Sequence, residues 1–305
     1  MPLYIAKRVL MLVPILFVVV SLTFFLMRIA PGNPFSKDRK MPASVEKALL
    51  AKYNLDGTLW QQYTAYISDV ARGDLRLSLR YKNRSVNEII AQTLPVSLVL
   101  GALAFVMALA AGIVIGSLAA VRQNSPADAG LMFLALMAVS IPNYVTAPVL
   151  ILFLAVSWHL FPIAGWGSWD QMILPAFCLS LPFAASVARL MRTSMLETLN
   201  QDFVRTARAK GLGEMRVVFK HALKVAILPV VTYCGPMAAN ILTGSLVVEE
   251  IFKIPGMGPF FVNSILNKDY FLAGGVTIIY CTLLVLLNLV VDVLYTFLDR
   301  RIRIG

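Results

Sequence analysis

The sequence predicts an all-α protein that crosses a membrane about six times. Three observations lead there. The 305 residues are 59% hydrophobic and only 14% charged, whereas soluble domains run nearer half apolar and about a quarter charged. The apolar residues are gathered into long uncharged blocks, each near the about 20 residues that a helix needs to span a bilayer. The net charge of +11 would suggest nucleic acid in a soluble protein. Here the cations gather at the ends of the apolar blocks, where they set orientation in a bilayer. No nucleic-acid role is expected.

The six blocks are roughly Val9–Ile29, Pro95–Val121, Ala129–Ser157, Gln171–Met191, Val225–Val248 and Phe271–Leu298. The first is too long for a cleavable signal, and Arg28 follows it without a small-residue cleavage site. Lys7 and Arg8 precede the first block, Arg122 lies between the second and third, and Arg300, Arg301 and Arg303 follow the last. A basic segment separates the fourth and fifth. Placing these four regions in the cytoplasm leaves few cations in the short outer loops and puts both termini inside. Residues 30–93 are then outside although rich in cations. Their length is close to the limit of about 60 residues beyond which charge ceases to govern orientation.

That outer segment carries a folding signal of its own. In "TLWQQYTAYISDVARG", Thr58 and Gln61 stand at capping-box spacing, and Leu59, Tyr63, Tyr66, Ile67 and Val70 form a helical apolar stripe. Gly73 is a suitable stop. The helix either packs on the outer ends of the bundle or meets a partner outside.

Prolines punctuate the spans at Pro14, Pro142, Pro148, Pro175, Pro182 and Pro236. Each removes a helix hydrogen bond and can kink the chain. Polar residues within the spans are few. Asn143, Thr146, Asn240 and Thr243 are the candidates for lining a translocation path, with packing as the plainer alternative. Asp292 is costly in lipid and is expected to face the bundle, tied to a cation such as Arg189.

Enzyme signatures are missing. The sequence holds no HExxH, GxSxG or GxxxxGK[ST] pattern. Without a phosphate-cradling loop the chain is not expected to hydrolyse ATP. Cys178, Cys234 and Cys281 are far apart in apolar runs and read as packing residues, and two histidines, His159 and His221, make a His-based metal site unexpected. No cofactor or metal is expected.

The basic segment "RTARAKGLGEMRVVFKHALKVAILP", residues 205–229, holds six Lys or Arg and one Glu. It resembles the cytoplasmic loop of binding-protein-dependent ABC importer permeases, whose pattern is E-A-A, three residues, Gly, nine residues, then I-x-L-P. Gly211 matches the Gly, and nine residues later come His221, Ala222 and Leu223. Arg205, Thr206 and Ala207 replace E-A-A, and Lys224 replaces the Pro. "RTARAKGL" followed by "HAL" and "LP" is similar to the peptide/nickel branch of that family. So are "LWQQYTAYI", "GDLRLSL", "MILPAFCLSLPFAASVARLMRTSMLE", "IFKIPGMG" and "NKDYF". "APGNPFSKDRKMP", "AKYNLDG" and "YKNRSVNEI" are closer to the oligopeptide B-type permeases than to the dipeptide ones.

The resemblance implies a type I ABC importer permease, one transmembrane domain over residues 1–305, with an extracytoplasmic loop at 30–93 and a cytoplasmic coupling loop at 197–224. Its partners would be a second homologous permease subunit, two ATP-binding subunits, an extracytoplasmic peptide-binding protein and membrane lipid. It would be the pore-forming half of an oligopeptide importer of the cell inner membrane, working by alternating access. Dipeptides, nickel or other cargo on the same fold, or an ion-coupled transporter, are the alternatives. The coupling role falls on Arg205, Thr206, Ala207, Gly211, Leu212, His221 and Leu223. From residue types alone, 198–210 is expected to be a helix, Gly211 a left-handed turn, and 214–223 a second helix offering Val217 and Val218 on a free face.

The orientation is testable by cysteine labelling of intact cells. Ser44→Cys and Asn267→Cys are expected to react with an impermeant thiol reagent, and Gly213→Cys is not. Labelling at 213 would invert the arrangement.

Overall fold

The computed structural model describes residues 2–29 and 43–298. The segment 30–42 and the arginines at 300, 301 and 303 lie outside the described residues, as do the side chains of Lys7, Arg8, Thr243 and Asp292. The expected tie between Asp292 and Arg189 therefore also lies outside them. Among the described residues the elements are helical, apart from one antiparallel bridge between Leu77 and Ser85. They are α1 (Pro2–Ile29), α2 (Ala43–Lys52), α3 (Leu59–Ala71), α4 (Val86–Val121), α5 (Pro126–Ser140), α6 (Asn143–Ser157), α7 (Trp169–Leu199), α8 (Asp202–Ala209), α9 (Glu214–Ala226), α10 (Leu228–Ile251), α11 (Met257–Leu266) and α12 (Tyr270–Leu298).

Four helices, α1, α4, α7 and α12, are long and apolar enough to cross a membrane, and the count reaches six when each of two bent pairs is one crossing. The expected straight span Ala129–Ser157 is one of these pairs: α5 and α6 meet at 110°. Pro142 has no amide hydrogen and holds Ile141 extended, at φ −95° and ψ 119°. The fifth span is the other pair. Its helix α10 starts at Leu228 rather than Val225, with Pro229 in the first turn, and α9 enters it at 52°. The second span begins nine residues earlier than Pro95. There Ser85 and Glu88 cap α4 reciprocally, Glu88 N–H to Ser85 Oγ at 3.1 Å and Ser85 N–H to Glu88 Oε2 at 3.1 Å.

The described chain forms two compact units. One is built chiefly of the described residues up to Ser97 and of Pro255–Leu289, the other chiefly of Leu98–Ile254. In the first, α3 forms as its sequence dictates, with the Thr58–Gln61 capping box present. Tyr66 is buried on α3, and the remaining stripe is half-buried except Leu59, which is exposed. Tyr66 stacks on Phe24 of α1 and Phe271 of α12. Burial pushes its hydroxyl pKa up to about 12 against the opposing pull of Arg76. Gly274 leaves room for this ring, since a Cβ there would lie 2.8 Å from the Tyr66 hydroxyl.

Two arginines of this unit are engaged in its fold. Arg76 pairs with Asp69 at 2.7 Å and lies over the rings of Tyr66 and Phe271. Arg80 Nε donates to the Asn267 carbonyl at 2.9 Å. The two stretches "GDLRLSL" and "NKDYF", almost 190 residues apart, meet at Asp269, which is fully buried. Its carboxylate accepts from Ser78 Oγ, from the amides of Leu79 (3.1 Å) and Arg80 (3.3 Å), and from Leu272 N–H (3.2 Å). The last bond caps the start of α12.

In the second unit α7 is the hub, packing on α5, α6, α8, α9 and α10. Helix α4 lies close against it. A Cβ at Gly112 would come within 2.5 Å of Val187, and one at Gly116 within 2.3 Å of the Ala188 carbonyl. Arg192 of α7 forks onto Asp128 of α5, with Nε to Oδ1 and Nη2 to Oδ2 both at 2.7 Å. Asp128 is buried and also accepts from Asn124 N–H at 3.1 Å.

Removing a buried hydrogen-bonded carboxylate leaves its donors unsatisfied, at about 1–3 kcal/mol each. Asp269→Ala should therefore lower the thermal unfolding midpoint of the purified protein clearly, and Asp269→Asn, which keeps one acceptor oxygen, should lower it less. Equal midpoints for all three would show that this carboxylate holds nothing together.

Candidate functional site

The basic segment folds into an elbow. Helix α7 runs on to Leu199, and the helix expected over 198–210 is α8, which starts four residues later than expected, at Asp202. Helix α8 stops in a Schellman motif at Gly211, whose φ is +79°. Leu212 N–H returns to the Ala207 carbonyl at 3.4 Å and Gly211 N–H to the Arg208 carbonyl at 2.9 Å. Space is open around Gly211, with nothing within 4 Å of a built Cβ. Glycine is needed there for its backbone angle and not for room. After Gly213 the chain enters α9, whose middle, Val217–Ala222, widens to a π-helical turn.

An ion pair braces the two arms. Arg208 Nη2 donates to Glu214 Oε1 at 2.6 Å and Nε to Oε2 at 3.1 Å. The hydrogen bond to Glu214 raises the Arg208 pKa above its ordinary value. Glu214 is the single acid of the segment, and that isolation was the one signal in the sequence that marked it. The inner face of the elbow is apolar and buried: Val204 and Ala207 on α8, Val217, Val218 and Ala222 on α9.

Val217 and Val218 thus correct an expectation. They were placed on a free face, but they are 0% and 5% exposed. Position alone could not say that the protein's own helices cover them. The apolar side chains that do face outward include Phe203, Met215, Phe219 and Val225. Arg205 and Thr206 are exposed, Leu212, His221 and Leu223 are half-buried, and Gly211 is exposed.

The path candidates fall on two packed helices, α6 and α10. Asn143 and Thr146 sit within one turn at the start of α6, both half-buried. Thr146 Oγ1 donates to the Asn143 carbonyl at 3.3 Å and lies 3.6 Å from Cys178 Sγ of α7. Asn240 is exposed on α10. Among the described residues no cluster of His, Cys, Asp and Glu has the makings of a metal site.

Comparison with known proteins fits this elbow on a polytopic bundle. Residues 112–304 match the family described as "Binding-protein-dependent transport system inner membrane component". The chain belongs to that family. It is a multi-pass inner-membrane permease subunit, not a catalytic one. It is 45% identical to the oligopeptide transport system permease protein OppB of Haemophilus influenzae, over 98% of this chain and 99% of the relative. OppB of Escherichia coli K12 gives the same figures. The dipeptide transport system permease protein DppB of Lactococcus lactis is 42% identical over 99% of both. A crystal structure of an amino acid ABC transporter with histidines shares the fold, with a TM-score of 0.52 at 16% identity, covering 71% of this chain and 95% of that one. The family match starts in the middle of α4, so α1–α3 and the Asp269 clasp's loop at 78–80 lie before it, within the full-length match to the peptide permeases.

The elbow's geometry sets a test. A β-branched residue at a left-handed position costs at least about 1–2 kcal/mol, whereas Asn adopts it readily. Gly211→Val should sharply reduce transport at normal membrane levels, and Gly211→Asn should keep most of it. Transport in vesicles holding equal subunit amounts measures this. Full activity of Gly211→Val would deny the turn any role.

Proposed function

We propose that this chain is the pore-forming permease subunit of an ATP-driven oligopeptide importer. The observation that carries the proposal is the full-length, 45% identity to relatives named as oligopeptide permeases. It pairs with a second, homologous permease subunit. Two ATP-binding subunits dock on the cytoplasmic side, and an extracytoplasmic binding protein delivers the peptide. Residues 1–305 act as one transmembrane domain with both termini in the cytoplasm and 30–93 outside. Residues 197–224 form the coupling loop.

In this reading Arg205, Thr206 and Phe203 on the outer face of α8 meet the ATPase. Gly211 and Leu212 form the turn, and Ala207 with the half-buried His221 and Leu223 seats the elbow on the bundle. Motion of an ATPase subunit passes through α8 into α7 on one side and through α9 into α10 on the other. ATP hydrolysis in the partners drives alternation between outward- and inward-open states. The braced elbow supports this role, because a loose loop would absorb the motion.

Cargo varies in side chain but shares a backbone and termini. A path for it gains from scattered amides and hydroxyls on an apolar wall, since tight binding midway would slow release. Asn143, Thr146, Asn240 and Thr243 fill that role. The second reading, dipeptide cargo, rests on the 42% identity to dipeptide permeases over the same length. Uptake of labelled tripeptides to pentapeptides, in competition with dipeptides, separates the two. Replacing the four polar residues together by Ala should change the ranking of peptides while subunit levels hold. Unchanged uptake of every peptide would reduce them to packing.

A further inference from the structure

The second unit carries an apolar groove that none of the path candidates lines. It lies between the end of α4 and α9, with a cavity of about 220 Å³. Val114, Leu118 and Val121 line it from α4, and Met215, Phe219 and Leu223 from α9. Met215 is 72% exposed and Phe219 56%. These are large side chains left uncovered by the protein's own fold.

A row of cations lies beside the groove. Arg216, Lys220 and Lys224 recur every fourth residue along α9 beside the lining stripe, and Arg122 follows Val121 at the end of α4. All four are exposed, and among the described residues no carboxylate pairs with them. The groove's accessible surface is apolar throughout: Ser117 lines it from α4, but its Oγ is buried. An apolar slot with cations beside it matches an acyl chain and a phosphate in that order.

We propose that this groove binds one anionic glycerophospholipid, with an acyl chain along Val114, Leu118 and Phe219 and its phosphate among Arg122, Arg216 and Lys220. Basic pockets between transmembrane helices on the cytoplasmic side are suited to anionic headgroups. Uncharged lipid would fill the slot but leave the rim unsatisfied. The site rests on the cytoplasmic placement of the elbow, but not on the identity of the cargo. A lipid bound there wedges α9 against α4, so it bears directly on the stiffness of the elbow's second arm.

The test uses the assembled transporter in nanodiscs containing phosphatidylglycerol or phosphatidylcholine, each with a photoreactive group on its acyl chain. Phosphatidylglycerol should label peptides spanning 113–121 and 214–223 more strongly than phosphatidylcholine does. Each cation removed, as in Arg216→Gln or Lys220→Gln, should lower that preference about fivefold and leave phosphatidylcholine labelling unchanged. Val114→Trp should reduce labelling by both. Equal labelling by the two lipids in the unmodified transporter would mean bulk contact only and overturn the proposal. So would the absence of label at both segments when a photo-crosslinker at position 118 captures another subunit, which would give the groove to a protein partner. Neither result depends on which peptides are imported, so failure here is distinct from failure of the cargo reading.

Discussion

Backbone hydrogen bonding inside an apolar slab constrains every other feature of this chain. An amide or carbonyl left without a partner in hydrocarbon costs several kcal/mol. The helices are nonetheless broken or bent at several places, and each break supplies a substitute bond. At Pro142 the amides of Val145 and Thr146 both turn to its carbonyl, at 2.9 and 3.1 Å. Beyond Pro148 the helix widens, and Ser157 Oγ donates to the Leu152 carbonyl at 2.9 Å. At the second bend Val231 N–H reaches the Ile227 carbonyl at 3.0 Å and Thr232 Oγ1 the Pro229 carbonyl at 2.6 Å. The bends are therefore fixed points of the fold; Asn143 and Thr146 stand directly after the first, and Asn240 and Thr243 lie more than three turns beyond the second, on α10.

Local signals were legible where local chemistry decides the outcome. Thr58 and Gln61 announced a helix start, and Gly211 a left-handed turn, because a cap and a positive φ depend on neighbouring residues only. The same signal, "SVNE", stood unread before α4. What the sequence hid was pairing at long range. Nothing in Asp128 points to Arg192, 64 positions away, and nothing in Val217 says that its face is covered. A membrane helix is apolar on all sides, so periodicity does not separate the lipid-facing side from the packed side. For the same reason hydropathy marked the third span as one run: a 110° bend between two apolar helices leaves no trace in a sliding average.

The distribution of cations makes sense once two uses are separated. Arg76 and Arg80, in the segment expected outside, are held by Asp69, by aromatic faces and by a backbone carbonyl. They stabilise a fold, so they carry little information on orientation. Arg122, Arg216, Lys220 and Lys224 have no such engagement among the described residues and lie beside the ends of apolar helices. A count of Lys and Arg treats both sets alike. The structure divides them by what each guanidinium or ammonium touches, and Arg76 and Arg80 fall on the side of the fold.

The elbow shows how a short surface feature gains mechanical meaning. Helix α8 alone is eight residues long, too short to be stable by itself in water. It is held by three different means: the Schellman turn at Gly211, the forked Arg208–Glu214 pair, and the buried contacts of Val204 and Ala207. The ion pair is about half exposed, so it contributes little energy, and its value lies in fixing the angle between the arms. Burial carries the stability. In the proposed coupling role, a push on the exposed side of α8 is passed on through the braced turn to the two helices that flank the elbow. One is α7, the hub of its unit, tied to α5 by Arg192. The other is α10, which α9 enters at 52°. Helix α10 and its neighbour α6 hold the residues proposed for the path, so in that proposal the stiffness of eight surface residues and the shape of the interior belong to one mechanical chain.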